Sequence, residues 1–115
     1  MKKTLFILLF SINLFASERI VTLSPSLNEI VFALGSGKDI VANTQYCNFP
    51  AESISIPKIG GYSSISLEKL LLSNPSLILT PSYDKQLLDN MKKLKLPFHS
   101  FKTNNLKFYK NKMIK

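Results

Sequence analysis

The chain has 115 residues and a formal net charge of +8, all of which comes from residues 91–115, with eight lysines and no acidic residue. The charges of residues 1–90 cancel, and a neutral body with a basic end differs from the basic face of a nucleic-acid-binding domain, so we expect no nucleic-acid partner. One cysteine and one histidine argue against an internal disulfide and a protein-built zinc site, and we expect no metal and no cofactor.

The first sixteen residues have the order of a secretory signal peptide. Lys2 and Lys3 give a positive start, residues 5–15 form an apolar run, and Ala16 is a small residue suited to cleavage. The run is too short for a membrane-spanning helix, which needs about 20 apolar residues. We therefore predict a signal peptide over residues 1–16 and an exported, periplasmic protein.

A strand and then a helix are predicted next. Residues 19–23 are short and rich in β-branched side chains, as in a strand. The apolar residues that follow share one helical face: Leu27, Ile30, Val31 and Leu34. Ser26 and Glu29 have the spacing of a capping box, which predicts that the helix begins at Ser26, and Gly35 is placed to end it.

The middle of the chain contains a second short strand and a long connection. Residues 40–42 are apolar and form the strand. Residues 43–66 have no helical period and contain two prolines and two glycines. A connection this long inside a compact domain is usually functional.

The pattern of helix and strand then resumes. Ser66 is predicted to cap a helix with Leu67, Leu70 and Leu71 on its buried face, which residues 74–75 end. A strand over 77–80 follows, then a helix with Asp84 in its first turn, and a strand over 97–101. The buried stripe of that last helix is predicted to be Leu87, Met91 and Leu94.

Alternation of strand and helix predicts an α/β fold with a parallel sheet flanked by helices. We assign residues 17–103 to this domain. Residues 104–115 are mostly Asn and Lys and are predicted to be a disordered, lysine-rich tail.

Ligands of open parallel sheets bind at the carboxyl ends of the strands. The loops predicted there begin at Ser24-Pro25, at Thr44, at Pro81 and at Lys102, and the second is the richest in polar and aromatic residues. Tyrosine suits a large, partly apolar ligand because it offers a flat face and one polar tip.

Four segments at matched spacing resemble the periplasmic binding proteins of cobalamin and ferric-siderophore importers. They are RIVTLSPSLNEIVFALG (residues 19–35), YCNFP (46–50), PKIGGY (57–62) and LEKLLLSNPSLIL (67–79). The resemblance covers residues 19–101. It implies a Rossmann-like first lobe of a two-lobe protein whose lobes are joined by a long helix.

The resemblance also implies partners and site residues. The ligand would be a corrinoid, a ferric siderophore or haem, contacted by Ser24, Pro25, Tyr46 and Tyr62, and Glu68 would dock on an arginine of an inner-membrane ABC permease. The protein would be a monomer without catalytic residues. A second lobe is missing after residue 101, so we expect the chain to be truncated and to bind its ligand weakly.

Simpler explanations remain for the same residues. Glu68 is also explained by the dipole of the helix that it begins, Tyr46 and Tyr62 by packing, and Ser24 by a turn. Two other functions stay open: a small flavodoxin-like enzyme that binds a nucleotide at the loops, and a basic interaction protein that acts through its lysine tail. The first lacks a glycine-rich turn after Leu23, and the second would lose its activity with residues 104–115.

Overall fold

The computed structural model describes residues 18–61 and 64–102. The predicted signal peptide, Tyr62 and the lysine-rich tail lie outside these residues. The elements in chain order are β1 (Ile20–Thr22), α1 (Pro25–Ala33), β2 (Ile40–Ala42), α2 (Leu67–Leu72), β3 (Leu77–Pro81), α3 (Lys85–Lys93) and β4 (Phe98–Phe101). Two short 3-10 helices, Gly37–Asp39 and Ala51–Ser55, lie in the connections.

The four strands form one sheet in the order β2-β1-β3-β4, and every pairing is parallel. In the register of the central pair, Ile20 lies opposite Leu77 and Thr22 opposite Leu79. All strand ends therefore point to one edge, which we call the carboxyl edge. The predicted fold class, a parallel sheet flanked by helices, is confirmed.

Both faces of the sheet are covered, because successive strand residues point to opposite sides. On one side Val21 and Ile78 pack with Leu70 of α2 and Met91 of α3 in the larger core cluster. On the other side a smaller cluster joins the sheet to α1 through Ile20, Ile40 and Val31. α1 thus covers one face, while α2 and α3 cover the other.

The start of α1 corrects the sequence prediction. Its N-cap is Ser24, whose Oγ accepts a hydrogen bond from the Leu27 backbone N–H at 3.2 Å, and Pro25 is the first helical residue. Ser26 lies inside the helix, so the capping box predicted for Ser26 and Glu29 does not form there. Proline is favoured at this position because it has no N–H to satisfy.

The other helices begin close to the predicted positions. Ser66 caps α2 through the Lys69 N–H, as expected, and Asp84 is the N-cap of α3 rather than a residue of its first turn. The central residues of the predicted buried stripes are buried as expected, namely Leu27, Val31, Leu70, Leu87 and Met91. The outer members of these stripes, Leu34, Leu71 and Leu94, are exposed by 66%, 46% and 44%. Leu34 and Leu94 are the C-cap residues of α1 and α3, and Leu71 is the last but one residue of the short α2.

Candidate functional site

The carboxyl edge brings together the loops that follow the strands. Helices run back along a parallel sheet, so α1, α2 and α3 all begin at this edge. Ser24 and Pro25 lie here, directly after β1. Ser24 is 7% exposed, and its hydroxyl caps α1. Pro25 is partly buried, so both residues contribute to the backbone of the edge more than to its solvent-accessible surface.

The loop of residues 44–49 after β2, here called the aromatic loop, presents two aromatic side chains to solvent. Tyr46 is 46% exposed and Phe49 is 65% exposed. Tyr83, 54% exposed, follows β3 on the same edge. Every exposed Phe or Tyr within residues 18–61 and 64–102 therefore follows the carboxyl end of a strand.

The absence of a side chain at Gly61 allows the Tyr46 ring to pack close to the backbone there. A Cβ added to buried Gly61 would lie 3.2 Å from Cε2 of the Tyr46 ring and 2.9 Å from Nε2 of Gln45. The backbone N–H of Gln45 also donates to the Gly60 carbonyl at 3.0 Å. The aromatic loop thus lies against the glycine turn of residues 60–61.

Under the aromatic loop lies a buried network of polar side chains centred on Asn28 of α1. Its Oδ1 accepts from Oγ1 of Thr22 and from Nδ2 of Asn43, both at 3.1 Å. Its Nδ2 donates to the Phe49 carbonyl at 3.2 Å and to Oγ of Ser53 at 2.7 Å. The network therefore connects β1, β2 and α1 to the loop and to the 3-10 helix behind it.

Lys58 completes this network. Its Nζ donates to Oδ1 of Asn43 at 2.7 Å, to the Ser53 carbonyl at 2.8 Å and to the Cys47 carbonyl at 3.1 Å. Burial lowers the pKa of the Lys58 ammonium, and its electrostatic interaction with Cys47 acts in the opposite direction. Three acceptors match the three donors of an ammonium group, so they replace the water that it loses.

Glu68 is an exposed residue of the first turn of α2, two residues after the Ser66 cap. It lies at the carboxyl edge with the aromatic residues because α2 begins there. The structure therefore places it where a partner approaching this edge would meet its carboxylate. It also fits the simpler interpretation, since a carboxylate in a first turn is stabilised by the helix dipole.

The chemistry of the edge favours binding. A groove of about 480 Å³ lies between the starts of α2 and α3, lined by Leu67, Tyr83, Asn90 and their neighbours. No cluster of three or more metal-ligating side chains occurs within the described ranges. In the same part of the chain, no helix has the length and apolarity needed to cross a bilayer.

Sequence reasoning missed the network. Asn28 carried a signal, because an asparagine beside the apolar stripe of a helix is disfavoured unless its amide has a specific partner. Lys58 carried none, since two of its acceptors are backbone carbonyls that only the folded loop brings together. Phe49 and Tyr83 lie in two of the loops predicted at the carboxyl ends of strands. Among the three exposed aromatic residues, the resemblance implies a ligand contact for Tyr46 alone.

Comparison with known proteins agrees with this geometry. The family described as "Periplasmic binding protein" matches residues 20–114. The vitamin B12-binding protein of Vibrio vulnificus strain YJ016 is 37% identical over 83 residues, which are 69% of this chain and 30% of that protein. The vitamin B12-binding protein of Photorhabdus laumondii is 33% identical over 76 residues, or 65% of this chain and 28% of the relative.

Solved structures show the same fold. The periplasmic vitamin B12-binding protein BtuF of Vibrio cholerae superposes with a TM-score of 0.68 and 28% identity, covering 73% of this chain and 34% of that one. The periplasmic haem-binding protein RhuT of Roseiflexus sp. RS-1 gives 0.68 and 31%, covering 74% and 34%. The chain thus spans about a third of the length of these relatives. On the family match over most of its length, with the fold in agreement, the chain belongs to the periplasmic binding protein family.

Proposed function

We propose that this chain supplies the first lobe of a periplasmic receptor that holds a corrinoid, a haem or a ferric siderophore for an ABC importer. The observation that carries the proposal is the distribution of exposed aromatics: Tyr46, Phe49 and Tyr83 all follow strand ends at one edge. Flat aromatic faces suit large, partly apolar ligands. Relatives that match this lobe are named for vitamin B12 and haem, which supports the ligand class and leaves the choice within it open.

The role is capture and delivery without covalent chemistry. Among the described residues, the Ser24 hydroxyl caps a helix, the Cys47 thiol is buried and His99 lies on the edge strand β4. Oγ of Ser24 bonds a backbone N–H and Sγ of Cys47 bonds the Thr44 hydroxyl, so neither is hydrogen-bonded to a base as a nucleophile requires. Tyr62 and the predicted signal peptide over residues 1–16 belong to the same proposal, the first as a ligand contact and the second as the export signal.

One lobe holds only part of such a ligand, so we expect weak binding by these 115 residues, weaker than about 10 µM in Kd, because affinity requires most of the ligand surface to be buried. The test is NMR titration of the purified chain with cyanocobalamin, haemin and ferrichrome, each at high concentration. Amide signals of residues 44–49 and 82–83 should shift with at least one of them. Signals of Arg19 and Ser76, which lie at the opposite edge of the sheet, should not.

The same titration separates the alternative functions. Flavin mononucleotide tests the flavodoxin-like enzyme, and shifts confined to the turn after β1 with this probe alone would favour it. Duplex DNA tests the basic interaction protein, which predicts shifts that disappear when residues 104–115 are deleted. If none of the three bulky ligands perturbs the carboxyl edge, the proposed function is wrong.

A further inference from the structure

The three hydrogen bonds of Lys58 join three separate segments of the chain. Asn43 follows β2, Cys47 is in the aromatic loop, and Ser53 is in the 3-10 helix Ala51–Ser55. Their acceptors lie between 2.7 and 3.1 Å from Nζ. Asn28 bonds the same three segments through Nδ2 of Asn43, the Phe49 carbonyl and Oγ of Ser53. Lys58 adds a charged donor to them and supplies the contact to the Cys47 carbonyl.

The backbone of Lys58 is held independently of its side chain. Asn43 and Lys58 form a parallel bridge, in which the Asn43 N–H donates to the Pro57 carbonyl at 3.0 Å and the Ile59 N–H donates to the Asn43 carbonyl at 2.9 Å. Ile59 is anchored in the larger core cluster. Because these backbone contacts do not involve the ammonium, its removal should affect the segments that it bonds and leave the bridge between Asn43 and Lys58 in place.

The aromatic loop is held at its start, in its turn and at its far end. The Gln45 N–H donates to the Gly60 carbonyl at 3.0 Å. Cys47 is 1% exposed and closes a turn in which its N–H donates to the Thr44 carbonyl at 3.0 Å. Asn28 holds the far end through the Phe49 carbonyl at 3.2 Å. The bond from Lys58 to the Cys47 carbonyl adds a charged side-chain contact in the middle of the loop.

We infer that Lys58 is the positioning residue of the ligand-facing aromatic loop: its ammonium sets where Tyr46 and Phe49 stand by bonding the Cys47 carbonyl to Asn43 and Ser53. The link to ligand binding rests on the proposed function. The positioning itself is independent of any ligand, because it concerns only whether the loop stays closed.

The test uses Cys47 as a reporter, since it is the only thiol in the chain and is buried in the turn. The thiol reacts with an aromatic disulfide reagent in the absence of denaturant, and the rate is read from the absorbance of the aromatic thiolate that is released. Lys58→Met keeps the aliphatic stem but removes the donor from Oδ1 of Asn43 and from the Cys47 carbonyl, whereas the Ser53 carbonyl still accepts from the Ile56 N–H at 3.3 Å. Local opening should become easier, and the thiol should react about tenfold faster or more, while the far-UV circular dichroism is unchanged.

Two control variants separate a positioning role from general stabilisation. Lys92→Met removes an exposed lysine of α3 and should react at the original rate. Leu70→Ala removes a fully buried side chain from the larger core cluster, which includes no residue of the aromatic loop. It should lower the unfolding midpoint at least as much as Lys58→Met and accelerate the thiol reaction less, since it does not open the loop.

Lys58→Arg is the second test of the same cation and covers the case in which Lys58→Met does not fold. A planar guanidinium does not reproduce the tripod of donors, so its thiol reactivity should lie above that of the original chain and below that of any folded Lys58→Met. Equal thiol reactivity in the original chain and the folded Lys58 variants would overturn the inference. The inference would also be overturned if Leu70→Ala, at an equal loss of stability, accelerated the thiol reaction as much as Lys58→Met does. A failed ligand titration would leave this result standing.

Discussion

At the scale of single residues, Asn28 does most to join the sheet to the site. Its amide makes four hydrogen bonds, to Thr22, Asn43, Phe49 and Ser53, and the side chain is fully buried. Buried amides are stabilising only when their donors and acceptors are paired. Four hydrogen bonds of the network therefore depend on one side chain of α1.

Replacing Asn28 by alanine should lower the free energy of unfolding by about 2–4 kcal/mol, because buried partners are left without hydrogen bonds. Urea denaturation followed by circular dichroism measures the change. The matched control is Asn90→Ala on the partly exposed face of α3, which should stay within about 0.5 kcal/mol of the original chain. Equal losses in the two variants would contradict the network.

At the scale of elements, each helix begins at the carboxyl edge with a side-chain cap. Ser24 caps α1, Ser66 caps α2 and Asp84 caps α3, each by accepting from the backbone N–H three residues later. The caps satisfy donors that would otherwise be unpaired near the site. The Asp84 cap also fixes where the loop that carries Tyr83 ends.

The position of the α1 cap gives a direct test. Ser24→Ala should lower the free energy of unfolding by about 1 kcal/mol through the lost bond to the Leu27 N–H. Ser26→Ala should be neutral within about 0.5 kcal/mol, since Ser26 lies inside the helix where alanine is favoured. Both changes are measured in parallel by urea denaturation. A larger loss of stability for Ser26→Ala than for Ser24→Ala would support the capping box predicted from the spacing of Ser26 and Glu29.

Much of the element order was predictable, because apolar spacing and caps are local signals. The stripe of Leu27 and Val31, the cap at Ser66 and the four strands were correct. The start of α1 was missed by two residues, since two serines flank Pro25 and the capping-box spacing favoured the wrong one. The contacts of Lys58 were not predictable, because the Asn43 amide and two backbone carbonyls meet there only after the long connection has folded.

At the scale of the whole molecule, the described chain is one lobe with cores on both faces of its sheet. Most apolar strand residues are used in these cores, which leaves the carboxyl edge as the surface that carries Tyr46, Phe49 and Tyr83. Glu68 stands on the same edge. Under the proposed function, the Glu68 carboxylate would face a partner on the same edge as the ligand-facing aromatic residues.

We predict that Glu68→Gln weakens association with the cognate ABC permease roughly tenfold at low salt, because a carboxylate–arginine pair loses its charge. Surface plasmon resonance against the permease in lipid nanodiscs measures the affinity. Glu52→Gln is the control, since Glu52 is an exposed carboxylate of the 3-10 helix Ala51–Ser55. An unchanged affinity for Glu68→Gln, or an equal loss for Glu52→Gln, would show that Glu68 only stabilises its own helix.

The burial of Cys47 has a consequence for life in an oxidising compartment. Unpaired thiols on the surface of secreted proteins become linked between molecules, and such a link at Cys47 would join two chains through their aromatic loops. With 1% of its surface accessible, the single thiol of this chain is withdrawn from that reaction. The turn that buries Cys47 thereby also protects the chain against covalent dimerisation.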